Sequence, residues 1–195
     1  MLTLGTLKYM NFNSLIGEIG IVWDDSTQIL KQVLLPEIST RKQNYGNINY
    51  SGVILEETPS DIIYKIMYDI KDIILGKEVH FDIDRLDLSE LTPFQQLVLT
   101  KQSEIPYSKV TSYKNLAQLI DKPRSARPVA NVLSNNPFPL VIPCHRTVKS
   151  DWSVGGYAGS NDGYYKQFLL ENEGIKINNG TISKEFRYPN KQQKK

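Results

Sequence analysis

Residues 113–146 read YKNLAQLIDKPRSARPVANVLSNNPFPLVIPCHR, and their order of helix, break, helix and apolar run decides the fold of the second half of the chain. Tyr113 to Ile120 spaces Leu116, Ala117, Leu119 and Ile120 as one apolar helix face. Asp121-Lys122-Pro123-Arg124 forms the break. Ser125 to Ser134 predicts a second helix, with Ser125 as N-cap and Pro128 in the first turn, where amide donors have no intrahelical partner. A pair of this kind reads as a helix-turn-helix, although two short amphipathic helices are also a common packing element. Lys109, Lys114, Lys122, Arg124, Arg127 and Arg146 cluster around it, and residues 107–147 contain a single acidic side chain, Asp121. A basic face of this kind suits phosphate contacts. Whole-chain charge would not show it, because 23 basic residues nearly balance 21 acidic ones.

Upstream, Thr92, Pro93 and Gln95 form a capping box with proline at the first helical position, opening a helix that buries Phe94, Leu97, Val98 and Ile105. Residues 1–85 predict a separate sheet-and-helix unit. Ile19, Ile21 and Trp23 alternate as a strand, Asp24 to Thr27 supplies a turn, and residues 29–35 return as its hairpin partner. A helix over 61–75 follows, capped by the Thr58-Pro59-Ser60 segment and stopped by Gly76. Phe81 to Glu90 reads as a linker, residues 86–174 as a second unit, and 175–195 as a polar basic tail ending in Lys191-Gln192-Gln193-Lys194-Lys195.

Chemistry concentrates at residues 135–146, where Leu140 to Ile142 reads as a buried strand ended by Pro143. Cys144 then sits at a pocket lip beside His145, which can take a thiol proton. Cys144 is the only cysteine, so no internal disulfide forms, and a reducing compartment is expected, cytoplasmic or, in a eukaryote, nuclear. One cysteine and two histidines, His80 and His145, fall short of a structural zinc set, so no metal and no cofactor is expected. A Cys–His hydrolase using His80 remains an alternative at this point. The N-terminus lacks a signal-peptide pattern, and no apolar run approaches the roughly 18 residues that would span a bilayer.

Pro143-Cys144-His145-Arg146, preceded by Asn136-Pro137-Phe138-Pro139 and followed by Gly156-Tyr157-Ala158-Gly159, resembles the O6-alkylguanine-DNA alkyltransferases, also called methylated-DNA–protein-cysteine methyltransferases. The similarity extends through Phe94-Gln95-Gln96, Ile105-Pro106-Tyr107, Ser112-Tyr113 and Ala126-Arg127 to Leu169-Leu170 and Glu173-Gly174. It implies an α+β fold: an N-terminal ribonuclease-H-like antiparallel sheet with a helix, then a mostly helical, winged-helix-like domain carrying the helix-turn-helix. It also implies a monomer acting on double-stranded DNA that carries O6-alkylguanine, with the base flipped out of the stack.

The resemblance assigns roles residue by residue. Cys144 accepts the alkyl group in a single turnover, and His145, bridged by water to Glu173, draws its proton. Asn136 braces the cysteine turn. Tyr113 aids base rotation and donates a proton toward guanine N3. Arg127 fills the gap left by the base, while small Ala126 and Ala130 let the second helix approach the minor groove. Thr147, Val154, Tyr157, Ala158, Gly159 and Pro139 line the guanine pocket. Two departures stand out. Pro128 follows Arg127, which places Arg127 at the very start of its helix, and Thr147 stands where valine is common. Related readings are a non-catalytic sensor of alkylated guanine and a generic helix-turn-helix DNA binder. Cys144 speaks against the sensor.

Overall fold

The computed structural model describes residues 6–36, 53–157 and 163–189. Its first layer is a four-stranded sheet in the order β3-β2-β1-β4. Strand β1 (Leu7–Ser14) pairs antiparallel with β2 (Gly17–Asp24) along its whole length, and β2 with β3 (Ile29–Leu34). The short β4 (Ile54–Leu55) lies parallel to β1, so the sheet is mixed rather than purely antiparallel. The β2–β3 turn forms where expected because the Asp24 carboxylate accepts from the amides of Ser26 and Thr27. In β2, Ile19, Ile21, Val22 and Trp23 are all buried, each side chain contributing roughly 1.5–3 kcal/mol by leaving water.

Helix α1 (Asp61–Ile74) packs against β1 with Ile63, Ile66, Met67, Ile70, Ile73 and Ile74. Ser60 caps it by accepting from the Ile63 amide. Phe81 to Glu90 is not a free linker. Asp87 donates its amide to Leu30 O at 2.9 Å and pairs through its carboxylate with Lys31, while Leu86 is buried.

Helix α2 (Pro93–Ser103) opens with the capping box between Thr92 and Gln95. The two-residue strand β5 (Thr111–Ser112) leads into α3 (Tyr113–Leu119), whose first turn is capped by Ser112 Oγ on the Asn115 amide. Helix α4 (Ala126–Ser134) follows after a break in which Asp121 takes φ +56°. Ser125 occupies the N-cap position, but its side chain makes no capping hydrogen bond. Arg127 is the second residue of α4, so proline at the third position costs little and Arg127 stays exposed.

Leu140 to Ile142 is a tight turn instead of a strand. Leu140 takes φ +72° and the Ile142 amide donates to Phe138 O at 2.8 Å, which curls the apolar run back on itself. A 3-10 turn, Cys144–Arg146, leads to β6 (Thr147–Val148), which pairs parallel with β5. Helix α5 (Tyr164–Asn172) closes the unit. Beyond it the chain is folded: β7 (Ile177–Asn178) and β8 (Thr181–Ile182) form a hairpin, and Ile175 and Ile182 are buried. The tail expected over residues 175–195 therefore begins no earlier than residue 190. Lys191 to Lys195 lie outside the described residues.

One hydrophobic cluster runs from Met10 in β1 to Leu169 in α5, so the two expected units share a core. Besides those of Asp87, further polar contacts tie the halves across it. Val33 of β3 donates its amide to Pro137 O at 2.9 Å, Asn172 Nδ2 donates to Ile74 O at 2.7 Å, and the Tyr107 hydroxyl donates to Gly76 O. Gly76 sits at φ +76°, where an added Cβ would lie 2.0 Å from Asn172 O. Gly76→Ala is therefore expected to destabilise the protein by at least the upper end of roughly 1–3 kcal/mol, read as a lower denaturation midpoint. An unchanged midpoint would show that α1 and α5 do not dock through this contact.

Candidate active site

Cys144 sits at the first position of the 3-10 turn, 8% exposed, with its amide donating to Ile142 O at 2.7 Å. Asn136, at the end of α4, holds this turn from below. Its Nδ2 donates to Ile142 O at 3.0 Å, and its Oδ1 accepts from the Phe138 amide at 3.0 Å. One buried amide thus bridges both sides of the 138–142 turn. Gln102 reaches in from α2, donating to Pro143 O at 2.7 Å and accepting from Thr147 Oγ1 at 2.5 Å. A threonine at 147 therefore has a polar partner ready, and its side chain faces the core.

His145 is completely buried, and its Nε2 lies 2.8 Å from Glu173 Oε1 with no bridging atom. The contact expected through water is direct, because Glu173 follows α5 at a depth that brings it against the 3-10 turn. The same carboxylate accepts from Arg146 Nε at 3.0 Å and Nη2 at 2.9 Å, and from the Ser108 amide at 3.3 Å. Arg146 Nη1 continues to Ile105 O at 2.9 Å, so Arg146 is an internal tie and not part of a basic surface. Burial alone would raise the Glu173 carboxyl, but the hydrogen bond from His145 and the charge of Arg146 hold it down to about 2. An ionised carboxylate only accepts, so Nε2 carries the imidazole proton. Nδ1 is then the basic lone pair, and it has no hydrogen-bond partner among the described residues. Burial lowers the imidazole pKa, which keeps the ring neutral and able to receive a proton.

Burial pushes the Cys144 thiol up, while the side chain of Asn136, the charge of Lys166 and the side chain of Tyr157 pull it back. Lys166 was not singled out by sequence, since a lysine in a helix of mixed polarity reads as solvent-facing. It is 1% exposed in α5, with its Nζ 5.7 Å from the Tyr113 ring centroid. Burial lowers its pKa to about 8, against the raising effect of the Cys144 charge. Tyr113, at the start of α3, is raised to about 12, first by burial and then by the Cys144 charge, and so stays protonated at neutral pH. Tyr157 stands edge-on to His145 at 6.4 Å between ring centroids, and it is buried in the same cluster as Cys144, while Pro139 is buried and Val154 is buried in a second cluster. Ala158 and Gly159 lie outside the described residues. Ala126 and Ala130 are half-buried on α4.

His80 is exposed and lines a cavity of about 350 Å³ with Glu78, Tyr107, Pro143 and Arg146, a wall that does not include Cys144. His145, and not His80, shares the 3-10 turn with Cys144. Trp152 packs beneath the Arg187 guanidinium at 4.7 Å, as a packing side chain would.

Residues 93–175 match the family described as 6-O-methylguanine DNA methyltransferase, DNA binding domain. The chain is 37% identical over 161 residues to the methylated-DNA–protein-cysteine methyltransferase of Methanothermobacter thermautotrophicus, covering 82% of this chain and 81% of that protein. It is 33% identical over 121 residues to the constitutive enzyme of that name from Bacillus subtilis, covering 62% and 70%. The crystal structure of Mycobacterium tuberculosis OGT in complex with DNA superposes with a TM-score of 0.70 at 26% identity, covering 85% of this chain and 92% of that one. A match at 37% identity over four-fifths of both sequences makes this chain a member of the methylated-DNA–protein-cysteine methyltransferase family.

Proposed function

We propose that the chain repairs alkylated DNA by direct reversal, moving a methyl or larger alkyl group from O6 of guanine in duplex DNA to the sulfur of Cys144. The observation that carries this reading is a buried free thiol on the same 3-10 turn as a neutral imidazole whose Nε2 is held by Glu173, leaving Nδ1 bare. The thiol proton passes to His145 Nδ1, and the sulfur lone pair attacks the alkyl carbon. The S–C bond forms as the C–O bond breaks, and its electron pair returns to the guanine ring. Tyr113 supplies the proton that lets guanine leave as a neutral base. The imidazolium and phenolate left behind carry equal and opposite charge until solvent restores both. Water does not hydrolyse a dialkyl thioether, so each molecule turns over once. Neither a metal nor a cofactor is required by these steps.

The complex recorded for the Mycobacterium tuberculosis relative supports DNA as the partner. Helices α3 and α4 form the helix-turn-helix of a winged-helix-like unit carried on a ribonuclease-H-like sheet. Small Ala126 and Ala130 allow α4 to approach a groove closely, and exposed Arg127 in its first turn can fill the gap of a flipped base. Val154, Tyr157, Pro139 and the backbone of Cys144 and Thr147 form the guanine pocket. The chain acts as a monomer in a reducing compartment, cytoplasmic or nuclear, which suits a lone reactive thiol. Among the described residues no helix is long and apolar enough to cross a membrane.

Incubation with duplex DNA bearing O6-methylguanine is expected to add one methyl to the intact protein mass, located on Cys144 and abolished in Cys144→Ala. Product in excess of protein would contradict single turnover, and tight binding without a mass change would favour the sensor reading. A second outcome concerns charge. Lys166 is cationic below about pH 8 and favours the thiolate there. Lys166→Met is expected to move the pH–rate profile for iodoacetamide modification of Cys144 to higher pH. A superimposable profile would remove Lys166 from the electrostatics of the thiol.

A further inference from the structure

The family match ends at residue 175, where the folded segment Ile175 to Pro189 begins. Its hairpin turns at Asn179 (φ +48°) and Gly180 (φ +73°) and lies along the loop that precedes the pocket wall. Val154 donates its amide to Gly180 O at 3.1 Å, Ile182 donates to Trp152 O at 3.0 Å, and Ser153 bridges Thr181 antiparallel. Arg187 locks this arrangement. Its Nε and Nη2 donate to Ile182 O at 3.0 and 2.7 Å while its guanidinium covers Trp152, itself at φ +69°.

The other end of the segment is fixed to a different place. Val110 donates to Phe186 O at 2.8 Å, Tyr188 donates to Val110 O at 2.7 Å, and Lys109 Nζ donates to Glu185 O at 3.0 Å. Val110 runs directly into β5 and Tyr113. Beneath the strap lies a second apolar cluster of Val110, Val148, Val154, Leu170, Ile175 and Ile182, separate from the main core. One backbone segment is therefore bonded at one end to the strand that delivers Tyr113 and at the other to the loop that carries Val154.

We propose that this strap is a specificity-determining clamp: it fixes the distance between Tyr113 and the Val154 to Tyr157 wall, and so limits the size of the O6-substituent the pocket accepts. The proposal rests on the alkyl-transfer reading above. A methyl group needs no displacement of the wall. A benzyl-sized group needs the loop to move outward, which breaks the Val154–Gly180 and Ile182–Trp152 bonds and opens the second cluster to water. Loosening the strap lowers that cost for the large group only.

The test uses Arg187→Ala and, as a second variant, a chain ending at Ser183, which deletes the Val110 anchor. Transfer rates from O6-methylguanine and O6-benzylguanine in the same duplex are measured beside hydrogen exchange at the Val154 and Ile182 amides. Iodoacetamide reactivity of Cys144 serves as a control that the thiol itself is unaltered. The proposal predicts faster exchange at those two amides and a benzyl-to-methyl rate ratio raised several-fold over the parent protein. Faster exchange with an unchanged ratio overturns it, as does unchanged exchange in both variants. Failure of the parent protein to transfer methyl at all would instead sink the alkyl-transfer reading, so the two failures are distinct.

Discussion

The carboxylate of Glu173 receives His145, Arg146 and the Ser108 amide at a point almost sealed from water, and the geometry around the thiol depends on it. A carboxylate at this depth is stable only if its lone pairs are filled by donors and its charge is met. Arg146 supplies both charge and two of the donors. Because that charge balances within the turn, His145 need not be protonated to satisfy Glu173, and burial keeps the imidazole neutral. The arrangement fixes the tautomer, and the tautomer decides which nitrogen is the base.

The second consequence is electrostatic. With Arg146 paired to Glu173, Lys166, buried near Tyr113, is a cation that acts on the thiol. A buried lysine is costly, and its lowered pKa records that cost. Placed here it offsets part of the burial penalty on the Cys144 thiolate and stands over the Tyr113 ring. The pocket can thus keep the nucleophile dry and protonated at rest, yet stabilise the charges that arise during transfer. The neutral amides of Asn136 and Gln102 do the mechanical part, holding both flanks of the cysteine turn without adding charge.

Much of this was legible in the chain because it is local. The caps at Ser60 and Thr92, the hairpin at Asp24, and the succession of Asn136, Cys144 and His145 are set by neighbours a few residues apart. Features that depend on distant packing were not. Strand β1 has no β-branched residue in Leu7–Ser14, so its alternation of buried Met10 and Phe12 with exposed asparagines was easily passed over. The apolar run 140–142 reads as a strand until Leu140 adopts a left-handed turn. Lys166 looks like a surface charge, and the strap looks like a polar tail, because Ile175 and Ile182 find their cluster only once β7 and β8 fold back on the loop.

The central claim, that Glu173 holds His145 as the neutral Nε2–H tautomer and leaves Nδ1 unprotonated, can be measured directly. Nitrogen-15 NMR of ring-labelled protein near neutral pH distinguishes the two ring nitrogens of His145 by their shifts and proton couplings. The account predicts a neutral ring with a protonated Nε2 and an unprotonated Nδ1, and loss of that fixed pattern in Glu173→Gln. A proton on Nδ1 in the unmodified parent protein, whether as the other tautomer or as a doubly protonated ring, would contradict it.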